Sequence, residues 1–150
     1  MTLDPLDKKL ISILNRNGRE NNSDIARELS ISEGTVRNRI KKLTDSGILK
    51  VSGLLNPDTV PEKQLVFLGV KIAVSKDLRN LAEKISVLEG VQAAYITTGR
   101  YDIIVEVWLN VKYGLIQFLS ETLASIDGIT STESFLIMKS YNKWISQEEE

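Results

Sequence analysis

The sequence predicts an α+β chain in two parts, helical up to residue 50 and mixed strand and helix from residue 64. Three observations predict it. Apolar residues recur at helical spacing between Leu6 and Leu43. From Val66 onward apolar residues alternate, then return to helical spacing, and the two patterns take turns to the end. Between the parts lies "LLNPDTVPEK" (54–63), which holds two of the three prolines and reads as a linker.

The helical part reads as three short helices. Asp4 can cap free backbone N–H groups, and Pro5 suits the first helical position. Leu6, Leu10, Ile13 and Leu14 then form one apolar stripe, and Asn17-Gly18 stops the helix. Ser23 is expected to start the second helix, with Ile25, Ala26 and Leu29 as its apolar face. "SIS" (30–32) is a tight connection. Ser32 caps a third helix running to Ser46, where Gly47 supplies a left-handed stop. "ILKVSGLL" (48–55) reads as a short strand or extended arm.

The second part reads β-α-β-β-α-β. Val66 to Val74 alternate as a strand, and Leu78, Leu81, Ala82, Ile85 and Leu88 are helix-spaced. "VQAAYITT" (91–98) and "IIVEVWL" (103–109) are strands around the turn "GRYD" (99–102). Asn110 is expected to cap a helix through Ile126, ended by Gly128, and "ITSTESFLIM" (129–138) is the last strand. This order is that of a ferredoxin-like βαββαβ domain. Ile104 and Trp108 alternate with Ile103, Val105 and Val107, so both sheet faces carry apolar residues. The second face is expected to be buried against another copy of the chain.

Composition narrows the chemistry. The chain has 150 residues, 42% of them apolar and 26% charged, enough for a core. No run of 18 apolar residues and no signal-peptide pattern occurs, so a cytoplasmic protein without membrane contact is the default. Cys and His are both absent, which removes disulfides, thiolate or imidazole metal sites, and Cys or His catalysis. No carboxylate calcium loop and no glycine-rich phosphate loop is present. No metal or cofactor is expected. Catalysis would rest on Asp102, Glu106 or Tyr101, and nothing pairs these with an activated nucleophile.

Charge is concentrated on the third helix. Residues 37–50 hold Arg37, Arg39, Lys41, Lys42 and Lys50 against Asp45, in a chain of net charge −1. At about 100° per residue, Val36, Ile40 and Leu43 share a core face. Thr35, Asn38, Arg39 and Lys42 share the opposite face, flanked by Arg37 and Lys41. A basic, polar helix following a short helix and a tight turn is the helix-turn-helix arrangement, whose second helix enters the major groove. Its first residues reach base edges and its Lys and Arg reach phosphates. The alternative is a solvated basic face of a three-helix bundle. The expected DNA contacts are Ser32, Thr35, Arg37, Asn38, Arg39, Lys41 and Lys42.

Nearly the whole chain resembles the Lrp/AsnC, or feast/famine, family of transcription regulators. "LDKKLISILNRNGR" (6–19) looks like the family's opening helix. "DIARELSISEGTVRNRIKKLTDSGIL" (24–49) looks like its DNA-reading unit, including the Ser32-x-x-Thr35-Val36-x-x-Arg39-Ile40 spacing. "TGRYD" (98–102) matches the G-x-x-D between its second and third strands. "ITSTES" (129–134) matches the start of its final strand, with Ser131 where Arg is common and Ser134 in place of Thr.

The resemblance implies a helix-turn-helix domain over 1–50, a linker over 51–63 and an effector-binding and oligomerisation domain over 64–140. Residues 141–150 are left as a tail, with Tyr141 and Trp144 packing on a neighbouring subunit and "QEEE" solvated. It further implies dimers assembling to an octamer, and a free amino acid as effector. The candidate effector residues are Thr98, Gly99, Arg100, Tyr101, Asp102, Ser131, Thr132 and Ser134. Gly99 lets a ligand approach the backbone, loop N–H groups suit a carboxylate, and Asp102 suits an ammonium. The hydroxyls suggest a polar amino acid such as glutamine. Tyr101 is either a wall of that pocket or an interface aromatic, and the bland alternative for "TGRYD" is a plain hairpin turn. The function expected is a sequence-specific DNA-binding regulator whose assembly or DNA affinity responds to an amino acid. An effector-free architectural or local regulatory DNA-binding protein is the runner-up; the modest net charge argues against it. An RNA-binding sheet would need a glycine-aromatic motif that is absent.

Overall fold

The structure is a computed structural model and describes residues 2–147. The chain forms two compact units, Met1–Gly53 and Leu54–Glu150.

The first unit holds α1 (Pro5–Arg16), α2 (Asn22–Leu29) and α3 (Glu33–Asp45). Asp4 caps α1 by accepting from the N–H of Asp7, with Pro5 in the first turn. The second helix starts earlier than expected. Asn21, not Ser23, is its cap, because the Asn21 carboxamide oxygen takes the Asp24 N–H at 2.8 Å. Ser30 adopts φ 56 at the end of α2, and Ser32 caps α3. Leu10, Ile13, Leu14, Ile25, Ala26, Val36 and Leu43 form the core, with Ile40 packed at its margin. Gly47 has φ +72, as a left-handed helix stop requires.

The second unit is a four-stranded antiparallel sheet in the order β2-β3-β1-β4. The strands are β1 (Lys63–Ile72), β2 (Val91–Ile96), β3 (Ile103–Asn110) and β4 (Ile129–Leu136). Helix α4 (Leu78–Ser86) connects β1 to β2. The connection from β3 to β4 is α5 (Gly114–Gln117), followed by a π-helical Phe118–Thr122 and a 3-10 turn at Leu123–Ser125. This is the expected ferredoxin-like order. One sheet face, including Leu68, Val70, Val105 and Val107, is buried against Leu81, Ile85, Phe118 and Leu123.

Three local expectations need correction. Asn110 caps nothing: it is the last residue of β3 and pairs with Lys63, so its backbone is committed to the ladder. The helix starts at Gly114, after Tyr113 turns the chain at φ 65. Secondly, β1 ends at Ile72 rather than Val74, because its ladder with β4 slips at Lys71/Ile72. Thirdly, of the two readings of residues 48–55, a short strand or an extended arm, the strand does not form. Only Leu55 pairs, in a single antiparallel bridge to Ile145.

That bridge belongs to a return of the C-terminal segment onto the second sheet face. Ile145 is 2% exposed and packs with Leu65 and Trp108, with Val60 and Ile137 beside them. Trp108 Nε1 donates to Gln147 Oε1 at 3.0 Å, and Lys139 pairs with Asp58 at 2.6 Å. This part of the face is therefore covered by the chain itself. Tyr95, Phe135, Leu136, Met138, Tyr141 and Trp144 stay exposed. Of the expected solvated "QEEE", residues 148–150 lie outside the described residues.

Candidate nucleic-acid interface and ligand loop

The α3 surface is built from its cap outward. Ser32 Oγ accepts from the Thr35 N–H at 3.1 Å and shares a hydrogen bond with Thr35 Oγ1 at 2.7 Å. Both hydroxyls are thus engaged in starting the helix. Arg37 lies 3.8 Å from Glu33, and Lys41 lies 2.5 Å from Asp45, each one turn away and each well exposed. Exposed i,i+4 pairs contribute little, so both cations are available to a stronger anion. Asn38 and Lys42 are exposed, and among the described residues their side chains have no polar partner.

Arg39 is placed differently. Its guanidinium Nη1 donates to Asp4 Oδ2 at 2.6 Å and to Asp7 Oδ1 at 2.8 Å. Asp4, Asp7, Thr35, Asn38, Arg39 and Lys42 line one open cleft, with Thr2 and Leu43 at its margins. Four of the seven expected DNA contacts therefore share a surface, with Ser32 at the helix start and Arg37 and Lys41 flanking. The two acids were missed by sequence reasoning. The signal available was the Asp4-x-x-Asp7 spacing, which puts both carboxylates on the first turn of α1.

The Arg39 guanidinium, aided by the Asp7 backbone N–H, holds the Asp4 carboxyl below its ordinary range. The Asp4 and Asp7 carboxylates in turn raise the Arg39 pKa. A depressed carboxyl pKa stabilises the fold above the unfolded value and loses that contribution as pH falls through the folded value. Asp4→Asn should therefore melt below wild type at neutral pH. That gap should close as pH falls past the ordinary Asp range, as calorimetry across pH can check.

The second candidate is the loop between β2 and β3. Thr97 N–H donates to the Asp102 carbonyl at 3.1 Å, and Asp102 N–H donates to Val70 at 2.9 Å. Asp102 Oδ2 accepts from the Ile72 N–H at 2.9 Å, where the β1 ladder slips. Asp102 thus ties the hairpin to β1 and keeps Oδ1 free of hydrogen bonds within the described residues. Thr98, Gly99 and Arg100 are exposed. Gly99 has φ +102, with nothing within 4 Å of where a Cβ would stand. Among the described residues, no hydrogen bond engages the N–H of residues 98–101.

The Tyr101 ring lies on the second sheet face, over Gly69 and edge-on to Phe135 at 6.2 Å. A Cβ at Gly69 would meet Tyr101 Cγ at 2.7 Å, so only glycine fits beneath the ring. Gly69 was also missed; its signal is a glycine inside an alternating apolar strand. Val70 pairs with both Ile103 and Thr132, so the loop and the start of β4 flank one end of β1. Ser131 pairs with Lys71, whereas Thr132 and Ser134 pair with Val70 and Leu68. Successive residues alternate faces, so Ser131 shares the Tyr101 face and Thr132 and Ser134 take the opposite one. The eight expected effector residues thus meet at one end of the sheet but not on one face.

Glu106, at the middle of β3, is 2% exposed. Its carboxylate accepts from the Tyr95 hydroxyl at 3.1 Å and pairs with Lys143 from the C-terminal segment. Burial, and then the Glu106 charge, raise the Tyr95 pKa. An acid within "IIVEVWL" is the sequence signal for this pair. Among the described residues no group of acids suited to a metal ion occurs. Among them, too, no helix is long and apolar enough to cross a membrane.

Comparisons with known proteins bear on both surfaces. Residues 3–44 match the AsnC-type helix-turn-helix domain, and residues 65–144 match the Lrp/AsnC ligand binding domain. An uncharacterized HTH-type transcriptional regulator of Pyrococcus furiosus is 38% identical over 143 residues, covering 95% of each chain. The HTH-type transcriptional regulator Ptr1 of Methanocaldococcus jannaschii is 34% identical over 140 residues, covering 93% of this chain and 94% of that one. Among solved structures, a transcriptional regulator of Neisseria meningitidis in complex with L-Met superposes with a TM-score of 0.72. It is 27% identical, with 95% of this chain and 94% of that one covered.

Proposed function

The chain belongs to the Lrp/AsnC family of transcriptional regulators, and from that premise we propose that α3 reads operator DNA while the 98–102 loop holds a free amino acid. It is a regulator with a DNA-binding helix-turn-helix and a ligand-binding domain, not an enzyme. The observation that carries the reading is the α3 cleft, where Asn38 and Lys42 are exposed beside Thr35 and have no polar partner among the described residues. Asn38 carries the donor and acceptor that an adenine edge requires, and Lys42 carries the charge that a phosphate requires. Arg37 and Lys41 exchange weak intrahelical pairs for phosphate. Ser32 and Thr35 present the helix start.

Fluorescence anisotropy on an operator duplex tests this. Asn38→Ala should weaken binding by roughly 1–3 kcal/mol and relax preference at one base pair. Lys42→Ala should weaken binding to all sequences alike and lower the salt slope by about 1. Equal affinity of both variants and wild type would remove α3 from the interface.

For the ligand, the N–H groups of 98–101 and Asp102 Oδ1, which have no hydrogen-bond partner among the described residues, suit a carboxylate and an ammonium respectively. Both groups belong to every α-amino acid. Arg100, at the loop tip, offers a second charge for the carboxylate, and the Neisseria relative holds L-Met. A polar preference, as for glutamine, draws on Ser131 from the Tyr101 face and on Thr132 and Ser134 from the strand's other face.

The exposed Tyr95, Phe135, Leu136 and Met138 support self-association. A dimer would present two α3 helices to half-sites about 34 Å apart, or a multiple of it, on a near-palindrome; further assembly to an octamer belongs to the same proposal. The domain limits of 1–50, 51–63, 64–140 and 141–150 belong to the same proposal; the compact units themselves are Met1–Gly53 and Leu54–Glu150.

A further inference from the structure

We infer that Arg39 is a positioning residue, which braces α3 against the start of α1 through Asp4 and Asp7 and does not itself touch DNA. The inference rests on the reading of α3 proposed above. The brace joins residues 32 and 35 positions apart. Asp4 uses one oxygen to accept the Asp7 N–H at 2.7 Å and the other to hold Arg39, so one carboxylate both caps α1 and anchors α3.

Burial, charge and geometry all favour bracing over contact. Asp7 is 6% exposed, and Arg39 is the one cation paired with it among the described residues. Swinging Arg39 out to a phosphate would strand that buried carboxylate, and such a loss outweighs one solvent-screened phosphate contact. Charge gives the same answer. One guanidinium against two carboxylates leaves the cluster net negative, so it offers phosphate no attraction. Geometry points the same way. Arg39 shares its helix face and the cleft with Thr35, Asn38 and Lys42. Fixing its Nη1 at both acids fixes how far α3 can turn about its axis, and with it where those three side chains point.

The test uses the full chain and an operator duplex selected from a random-sequence pool, with affinity measured over a range of KCl. Three variants decide it. Arg39→Ala should weaken binding about tenfold or more, because it strands the Asp4 and Asp7 carboxylates and releases α3 from α1. Adding Asp4→Asn and Asp7→Asn to Arg39→Ala removes the stranded charge but not the lost brace, so affinity should recover only in part, with the wild-type salt slope. Arg39→Lys keeps a cation toward the acids but loses the planar guanidinium fork, so base preference should be unchanged at every operator position if Arg39 reads no base. A slope lowered by about 1 in the triple variant, or a preference lost at one base pair in Arg39→Lys, would show that Arg39 contacts DNA and overturn the inference. Should Arg39→Ala fail to fold, the other two variants still decide. A wild type that binds no duplex overturns the reading of α3 and this inference with it, a result distinct from either variant outcome.

Discussion

Lys143→Ala is expected to destabilise the sheet unit by about 3 kcal/mol, the lower part of the range for breaking a buried ion pair. Glu106 sits at the centre of β3 with its side chain 3% exposed, and Lys143 supplies its counter-charge. The Tyr95 hydroxyl satisfies one carboxylate oxygen but brings no charge. Without Lys143 the acid must stay buried and uncompensated, take up a proton, or drag the strand toward water. Lys143 is itself 35% exposed, so part of the loss is screened and the low end of the range applies. The C-terminal segment should also loosen, because Lys143 is one of its few anchors beside Ile145 and Gln147. Urea unfolding followed by Trp fluorescence measures this. Adding Glu106→Gln to Lys143→Ala should recover most of the loss, since it removes the stranded charge. No recovery would mean that packing, not charge, is what Lys143 supplies.

The second large effect is expected at Gly69. A Cβ there would lie 2.7 Å from Tyr101 Cγ and Cδ1 and 2.8 Å from Cδ2. These are the atoms at the root of the ring, not its tip, so no small tilt relieves the clash. Gly69→Ala should lift Tyr101 off the sheet, break its edge contact with Phe135 and cost about 1–3 kcal/mol, as overpacking does. Tyr101 is followed directly by Asp102, whose N–H and carboxylate bind β1. Displacing the ring should therefore disturb the loop and weaken amino-acid binding more than the stability change alone would. Calorimetric titration of the effector into Gly69→Ala measures this. Tyr101→Ala in the same background should be better tolerated than either change predicts singly, because the clash is gone.

Much of this architecture is legible in the sequence because it is set by local chemistry. Asp4-Pro5, Ser32 and Gly47 act on their own helix ends, and the alternation in "IIVEVWL" is a property of one strand. The order of strands follows from the order of patterns. What sequence reading misses is contact between distant residues. Arg39 lines one cleft with Asn38 and Lys42, and the fold shows that acids 32 and 35 positions earlier already hold it. Asn110 is a good cap in isolation, but the β1 ladder claims its backbone first. Ile145, beside Trp144 in a mostly polar segment, gives no periodic signal, yet it packs with Leu65 and Trp108. The effector residues are legible as a group, because the G-x-x-D loop and "ITSTES" are motifs. Their division between two sheet faces depends on the register of β4 against β1, which no local pattern carries.

The central claim is that DNA affinity or assembly answers to a free amino acid. Its most direct measurement is operator binding by anisotropy, with light scattering on the same samples, in the presence of each of the twenty amino acids. At least one is expected to shift the operator affinity or the assembly state, by about 5-fold or more for affinity. Asp102→Ala is expected to abolish the response while leaving binding without effector intact. If no amino acid changes either quantity, the loop is a hairpin turn and nothing more, and the chain is a DNA-binding protein without an amino-acid effector.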